Sequence, residues 1–341
     1  MDLTTVREIR TPTTRDEIVF APGERPLGGG TWLFSERQPG LTGLVDLTSL
    51  GWAPVERSAD HLSVAATCTI ADLLRVPADD DWAAHPLIDQ CANSLLASFK
   101  IWTVATVGGN VALGLPAGAM TSLMETLDAT ALVWSPGGGE RRLPVSSFVT
   151  GVVQNALAPG EVLRALEVPL DSLRSRTGFR RISLSPLGRS GTLVTARLGL
   201  DGEFVVTITA GTTRPVQLRF DEVPGERALA DALARVDCWY DDPHGAPDWR
   251  RAMSTRFADE LRVELGRPAA GDGLAAGPST GRARPRREPA HDPRSAVARS
   301  SVAHGAVSHG AVSHGAVAHD GAAAPAHPTN TTPNTNPGGA R

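Results

Sequence analysis

The sequence predicts an α+β protein, and three observations lead to this fold class. Short apolar runs bounded by glycine or proline, such as residues 43–48 and 130–134, are typical of buried strands. Apolar side chains recur at helical spacing in residues 86–98 and 119–127. Beyond Pro169, strand patterns follow one another directly, as they do in an antiparallel meander.

The first half of the chain carries two glycine stretches between short apolar runs. Residues 28–31 read Gly-Gly-Gly-Thr, and residues 105–112 read Ala-Thr-Val-Gly-Gly-Asn-Val-Ala. Glycine permits φ > 0 and bares the backbone amides, so both stretches are predicted to be tight turns that suit a phosphate. Ordinary hairpins and helix ends use the same residues, so a purely structural role is the alternative. The spacing G-x-G-x-x-G of dinucleotide-binding βαβ units is absent.

Local signals place several further elements in this half. Thr69 is predicted to cap a short helix that contains Asp72. A glycine hairpin is expected at residues 136–139, after the strand at 130–134. A last strand is expected within residues 160–169. Short strands therefore dominate the first 170 residues.

The stretch 175–266 is predicted to be a small α+β domain of its own. Its strand patterns lie near residues 179–183, 192–200, 204–210 and 215–220. Asp201-Gly202 is a strong hairpin signal between two of these strands. Helical patterns follow at residues 226–236 and 248–265. The fold is expected to end near Gly266.

Residues 267–341 are rich in Ala, Gly, Pro and Arg and poor in large apolar residues. Such a segment cannot bury enough surface to offset its ordering entropy, so we predict a disordered, low-complexity tail. It contains a five-residue repeat that begins at His304, His309 and His314. Spaced histidines can hold a soft divalent cation, but flexible repeats of this kind are usually low complexity, and no metal site is predicted.

Composition limits the function classes. A net charge of −4 and few aromatic residues argue against nucleic-acid binding. Cys68, Cys91 and Cys238 are widely spaced, which predicts reduced thiols, mostly in the core. The sequence shows neither a secretory signal pattern nor an apolar run long enough for a membrane span, so a cytoplasmic protein is expected. Lys100 is the only lysine among 33 basic residues, a bias that suggests GC-rich bacterial coding.

The order of the motifs resembles that of the FAD-binding medium subunit of the molybdenum hydroxylases, the family of carbon monoxide dehydrogenase and xanthine dehydrogenase. The motifs are GGGTWL at 28–33, GLVDL at 43–47, ATVGGNVA at 105–112, METLDA at 124–129 and LEVP at 166–169. The resemblance implies a two-lobed FAD-binding domain of the PCMH type at residues 1–170. Residues 175–266 resemble the family's C-terminal flavoprotein domain.

The resemblance also implies a non-covalent FAD site, with the pyrophosphate on the two glycine stretches. The implied cofactor-binding residues are Leu27, Gly28, Gly29, Gly30, Thr31, Trp32, Thr106, Val107, Gly108, Gly109, Asn110, Asp128, Leu166 and Val168. Asp128 is alternatively a helix-end residue, and Leu166 and Val168 are alternatively core. Arg181 and Arg189 are candidates for the basic residue that the family places near the flavin.

The implied function is an oxidoreductase subunit that transfers electrons through FAD to NAD or another acceptor. Its implied partners are a large subunit with the molybdenum cofactor and a small [2Fe–2S] subunit. Because the cofactor carries the redox chemistry, no catalytic acid or base is assigned. Two alternatives stay open: a stand-alone FAD-dependent oxidoreductase acting on a small metabolite, and a non-enzymatic scaffold that has lost FAD.

Overall fold

The computed structural model describes residues 3–268. The histidine repeat and almost all of the predicted tail lie outside the described residues. The strands are β1 (Glu8–Arg10), β2 (Glu24–Leu27), β3 (Gly43–Asp46), β4 (Val55–Arg57), β5 (His61–Ala65), β6 (Thr130–Trp134), β7 (Glu140–Pro144), β8 (Val149–Gly151), β9 (Gln154–Asn155), β10 (Val162–Pro169), β11 (Arg176–Ile182), β12 (Thr192–Leu198), β13 (Phe204–Thr209) and β14 (Val216–Phe220). The α-helices are α1 (Ile70–Leu73), α2 (Pro86–Ser94), α3 (Phe99–Trp102), α4 (Val107–Leu113), α5 (Ala119–Thr126), α6 (Val145–Phe148), α7 (Leu170–Arg174), α8 (Glu226–Ala234) and α9 (Pro247–Leu265). Short 3₁₀ turns lie at Arg15–Glu17, Leu47–Leu50 and Pro136–Gly138.

Three main sheets organise these elements, and they confirm the predicted α+β class. A parallel sheet with the order β1-β3-β2 forms the first lobe. An antiparallel sheet with the order β4-β5-β10-β6-β7 forms the second lobe, together with α1 to α6. The C-terminal sheet is the predicted meander, β11-β12-β13-β14, and α9 packs on it.

Most local signals led to the right element. The Thr69 hydroxyl accepts a hydrogen bond from the amide of Asp72 at 3.0 Å, as predicted for a helix cap. The hairpin between β12 and β13 turns at Gly202, whose φ is +92°. The helix predicted over residues 86–98 ends earlier, at Ser94, because Leu96 adopts φ +54° and cannot continue a right-handed helix.

The predicted core thiols are found where the sequence placed them. Cys68 and Cys91 are buried, and Cys238 is partly buried. Burial raises the pKa of the Cys68 thiol to about 12, so this side chain stays protonated and unreactive at neutral pH. Within residues 3–268, no helix is both long and apolar enough to cross a bilayer.

Helix α5 joins the second lobe to the meander, and all its residues are buried. Its polar side chains face the hydroxyl groups of the sheet: Ser122 contacts Thr209 and Thr126 contacts Thr195, each at 2.6 Å between oxygens. The side-chain amide of Gln217 donates to the carbonyl oxygen of Glu125 at 2.7 Å. Because buried hydroxyl and amide groups are costly without partners, these bonds fix how the helix lies on the sheet.

The carboxyl group of Glu125 is the unusual member of this interface. The residue is only 2% exposed, and its Oε1 has no hydrogen-bond partner among the described residues. Burial, and secondarily the charge of Asp128, raise the pKa of Glu125 to about 8. The folded protein therefore holds this carboxyl in its neutral form at pH 7.

We expect stability to fall with pH because of this group. Between the ordinary glutamate pKa and about 8, the carboxyl is ionised in the unfolded chain and protonated in the folded one, so raising the pH favours unfolding. Denaturant titrations from pH 5 to pH 8 should show the free energy of unfolding falling by about 1 kcal/mol per pH unit. The loss should level off above pH 8.

The variant Glu125→Gln imitates the neutral carboxyl and should remove most of this dependence. Glu36→Gln, on the exposed residue Glu36, serves as the control and should leave the wild-type slope unchanged. Equal slopes in the wild type and in Glu125→Gln would contradict the assignment.

Candidate functional site

A cleft of about 800 Å³ opens between the two lobes and the C-terminal sheet. The first lobe contributes the glycine stretch that follows β2, and the second lobe contributes the segment from Ala105 into α4. The loop from Leu115 to Gly118, before α5, lies on the same cleft. Its volume is within the range of about 300–1,000 Å³ that is usual for small-molecule and cofactor sites.

The first glycine stretch is a tight turn, as predicted. Gly30 adopts φ +69°, and the amide of Phe34 closes the turn on the carbonyl of Gly30 at 2.8 Å. The amide N–H groups of residues 29–32 find no acceptor within residues 3–268. The Thr31 hydroxyl likewise has no partner in that part of the chain. The turn therefore presents a row of free donors to the cleft.

Gly29 is required for a packing reason. A Cβ at Gly29 would lie 1.7 Å from the carbonyl oxygen of Val104 and 3.2 Å from the Cα of Ala105. The two glycine stretches thus touch backbone to backbone. Only glycine permits this contact, which brings the first lobe against the second.

The second glycine stretch is the first turn of helix α4, so the prediction of a tight turn there is wrong. Thr106 is the N-cap, and its hydroxyl accepts from the amide of Gly109 at 3.1 Å. The amides of Val107, Gly108 and Asn110 donate to the carbonyls of Cys68, Ala66 and Thr106. All amides of this helical turn are therefore occupied within the protein.

Gly108 explains why glycine occurs here. A Cβ on it would lie 2.4 Å from Cα and Cβ of Ala66, so the helix can approach the 66–70 segment only without a side chain. The backbone amides of this stretch are bonded, so only its side chains are available to a ligand in the cleft. The Oδ1 of Asn110 accepts from the amide of Met120 at 2.9 Å, which leaves its NH₂ group free, and Thr106 lies directly beside Gly28.

The structure brings together most of the predicted site residues. Those that line the cleft are Leu27, Gly28, Gly29, Gly30, Thr31, Trp32, Thr106, Gly108, Gly109 and Asn110. Four predicted residues do not line it, namely Val107, Asp128, Leu166 and Val168.

The positions of these four residues have a physical explanation. Val107, Leu166 and Val168 are at most 2% exposed and belong to the core of the second lobe. The carboxylate of Asp128 pairs with Arg197 and Arg219 of the meander. For Asp128, Leu166 and Val168 the structure therefore favours the alternatives, a helix-end residue and core packing.

The C-terminal region adds a further wall to the cleft, which the sequence did not predict. Its lining residues are Leu187, Arg189, Ser190, Ala210, Tyr240 and Asp242. Arg189 was a sequence candidate and does reach the cleft, whereas Arg181 supports the same loop by donating to the Ser190 hydroxyl at 2.7 Å. Long-range packing creates this wall, and no local pattern marks Tyr240 or Asp242.

Backbone conformation singles out the cleft as well. In residues 3–268, four non-glycine residues have φ > 0, and three of them, Leu96, Val153 and Ala210, line the cleft. The fourth is Asp128. Unfavourable backbone conformations persist only where surrounding contacts fix them, and they cluster at functional sites.

A cleft between two lobes, with free amides at one end and apolar walls, defines a protein that binds an extended phosphorylated cofactor. Residues 11–171 match the family described as the FAD binding domain in molybdopterin dehydrogenase. The match covers a little under half of the chain, and it agrees with the family that the motifs suggest. The domains of this family bind FAD.

Two curated relatives agree with this assignment. Carbon monoxide dehydrogenase medium chain from Afipia carboxidovorans is 28% identical over 194 residues, which is 55% of this chain and 66% of the relative. Caffeine dehydrogenase subunit beta from a Pseudomonas species is 33% identical over 98 residues, covering 29% of this chain and 33% of the relative. The chain thus matches less than two thirds of the length of either relative.

Solved structures confirm the fold. Quinoline 2-oxidoreductase from Pseudomonas putida 86 superposes with a TM-score of 0.66 at 22% identity, over 78% of this chain and 98% of that chain. A Cu,Mo-CO dehydrogenase gives a TM-score of 0.65 at 22% identity, over 76% and 98%. The coverage reaches beyond the FAD-binding domain, so the C-terminal sheet belongs to the shared fold.

The contact between the glycine stretches can be tested by adding a single methyl group. Gly29→Ala should lower the free energy of unfolding by about 1–3 kcal/mol, because the carbonyl of Val104 has to move. Chemical denaturation measures this loss.

Gly139→Ala is the matched control. Its φ is −67°, and the nearest atom to an added Cβ is an ordinary 3.5 Å away. We expect its unfolding free energy to stay within about 0.5 kcal/mol of the wild type. If Gly29→Ala were as stable as Gly139→Ala, the lobes would not depend on this contact.

Proposed function

We propose that this chain is the FAD-binding subunit of a molybdenum-hydroxylase-type oxidoreductase. FAD lies in the cleft, with its diphosphate on the turn formed by residues 29–32. The observation that carries this proposal is the row of amides in that turn, which have no acceptor among the described residues. Phosphate oxygens are the acceptors that such a turn suits, because they satisfy several N–H groups at once without a metal ion.

The two glycine stretches have different tasks in this proposal. The turn at residues 29–32 supplies backbone donors, whereas the amides at the start of α4 are already occupied. The second stretch adds the free NH₂ group of Asn110 and the hydroxyl of Thr106. The diphosphate therefore rests mainly on the first lobe and is contacted by side chains from the second.

The charge of the cleft suits an anionic cofactor. Arg25 and Arg189 line it, and Arg189 has no acidic partner within residues 3–268. The acidic Asp242 in the C-terminal wall is paired with the buried Arg250. The excess of positive charge offsets the negative charges of a diphosphate in a partly desolvated site.

Bound FAD would supply the redox chemistry, accepting electrons and passing them on. The residues of this chain would bind and orient it, and the apolar walls would keep water from it. The electron donors would be the [2Fe–2S] small subunit and the molybdenum-containing large subunit. The acceptor would be NAD or another oxidant, in the cytoplasm of a bacterium. The names of the two curated relatives, a medium chain and a subunit beta, support work as part of a complex.

FAD binding is tested directly on the purified full chain. The protein as isolated, or after incubation with FAD, should show flavin absorbance and retain it through gel filtration. Protein that is folded by circular dichroism but cannot be loaded with FAD would favour the alternative of a non-enzymatic scaffold that has lost FAD.

Asn110→Asp tests where the diphosphate lies. The substitution keeps an oxygen for the Met120 amide but removes the free NH₂ group and adds a negative charge beside the phosphates. We expect the FAD dissociation constant, measured by fluorescence titration, to rise about tenfold or more.

Asn93→Asp, at an exposed position on α2, is the control and should leave FAD affinity unchanged. A wild-type affinity in Asn110→Asp would place the phosphates elsewhere in the cleft.

Gentle purification from the native host distinguishes the subunit from a stand-alone enzyme. The proposal expects the chain to elute with two further polypeptides and with bound molybdenum and iron. A chain that elutes alone, carries FAD and oxidises a small metabolite would instead establish the stand-alone enzyme.

A further inference from the structure

Within residues 3–268, Arg250 is the most deeply buried charged side chain outside the residues assigned to FAD. It lies in the first turns of α9, is 1% exposed, and heads the fully buried side chains in size. A guanidinium is costly to bury unless every donor finds a partner. The surroundings of Arg250 are therefore built around it.

Its partners come from three separate segments of the C-terminal region. Nε donates to the carbonyl of Gly245 and Nη1 to that of Gly191, each at 2.7 Å. Nη1 also donates to the carbonyl of Ala210, and Nη2 donates to the carboxylate of Asp242. One planar side chain thus ties together the loop before β12, the end of β13 and the stretch before α9.

These three segments carry every cleft-lining residue of the C-terminal wall. Leu187, Arg189 and Ser190 precede Gly191 in its loop, Ala210 is itself bonded, and Tyr240 and Asp242 lie on the last segment. The ring of Tyr240 also stands 5.4 Å from the guanidinium carbon. Arg250 itself is not among the residues that line the cleft. Arg250 therefore supports the wall through these bonds without lining the cleft.

Two details show how closely this arrangement is fitted. Cβ atoms on Gly191 and Gly245 would come within 2.5 Å and 2.8 Å of the Trp249 ring, so their carbonyls approach Arg250 only because both residues are glycine. Ala210 has φ +61°, and its amide donates to the carbonyl of Pro116 at 2.7 Å. Pro116 lies on the part of the cleft that belongs to the second lobe. Ala210 therefore links Arg250 to the second lobe, because it bonds both Arg250 and Pro116.

We infer that Arg250 is a positioning residue that assembles the C-terminal wall of the cofactor cleft and thereby sets the affinity for FAD. The inference rests on the proposed binding of FAD in this cleft. A lysine would keep the charge but cannot hold three carbonyls and a carboxylate in one plane. The three segments would then separate, although the cleft residues themselves are unchanged.

The test compares Arg250→Lys with Arg180→Lys. Arg180 is a matched control because its guanidinium also joins the C-terminal sheet to α9. It pairs with Glu260 and Glu264, and it does not line the cleft. In Arg250→Lys the FAD dissociation constant should rise about tenfold or more, comparable to the loss seen when residues that orient the ligands of metal sites are changed. Arg180→Lys should stay within about twofold of the wild type.

Hydrogen exchange in the FAD-free full chain provides a readout that does not need the cofactor. Residues 183–191 and 239–246 should exchange faster in Arg250→Lys, while the centre of β12 and β13 keeps its protection. If Arg250→Lys does not fold, Asp242→Asn keeps an acceptor oxygen but removes the charge that pairs with Arg250, and it should raise the exchange of the same residues by less.

The outcomes separate the two ideas. A wild type that binds no FAD contradicts the proposed function, while the exchange data still test the role of Arg250. A wild type that binds FAD, with unchanged affinity and exchange in Arg250→Lys, overturns the inference.

Discussion

The contact between Gly29 and the backbone at Val104 is the constraint on which the cleft depends. A side chain at Gly29 would overlap the Val104 carbonyl, so the two lobes can meet only at glycine. The contact holds the first stretch, with its free amides, against the segment that leads into α4. The two stretches are similar in sequence but differ in role. The backbone amides of the first stretch are free, whereas those of the second are bonded within the protein.

The third part of the cleft is added through polar contacts. Hydrogen bonds between buried hydroxyl groups join α5 to the meander. The carboxylate of Asp128 forms ion pairs with two arginines of that sheet. Such contacts are directional, so they fix one orientation where apolar packing alone would tolerate several. Arg250, which does not line the cleft, then ties together the three segments that form the wall. The C-terminal region thus shapes the cofactor cleft although it lies outside the matched FAD-binding segment.

Local patterns sufficed for much of the fold. The meander, the hairpin at Gly202, the cap at Thr69 and helix α5 depend on neighbouring residues, and each is found as predicted. The meeting of residues 28–31 with residues 105–112 at one cleft followed from the order of the motifs. What the sequence could not supply depends on distant contacts.

The second glycine stretch illustrates this limit. Its helix is stabilised by carbonyls of Ala66 and Cys68, about forty residues earlier in the chain, which a local reading of Thr-Val-Gly-Gly-Asn cannot include. From the sequence, Asp128 could equally be a ligand residue or a helix-end residue, and its pairing with the distant residues Arg197 and Arg219 favours the second. From the sequence, Leu166 and Val168 could pack against the flavin or in the core. Their positions in β10 favour the core.

The left-handed residues around the cleft have a consequence for the stability of the chain. Leu96, Val153 and Ala210 each hold a conformation that glycine would adopt at lower cost, so the chain gives up folding free energy at three places around its binding site. Glycine would remove the side chains that line the cleft there and would loosen the backbone that carries them. With Leu, Val and Ala at these positions, the chain thus has a rigid, lined site at some cost in stability.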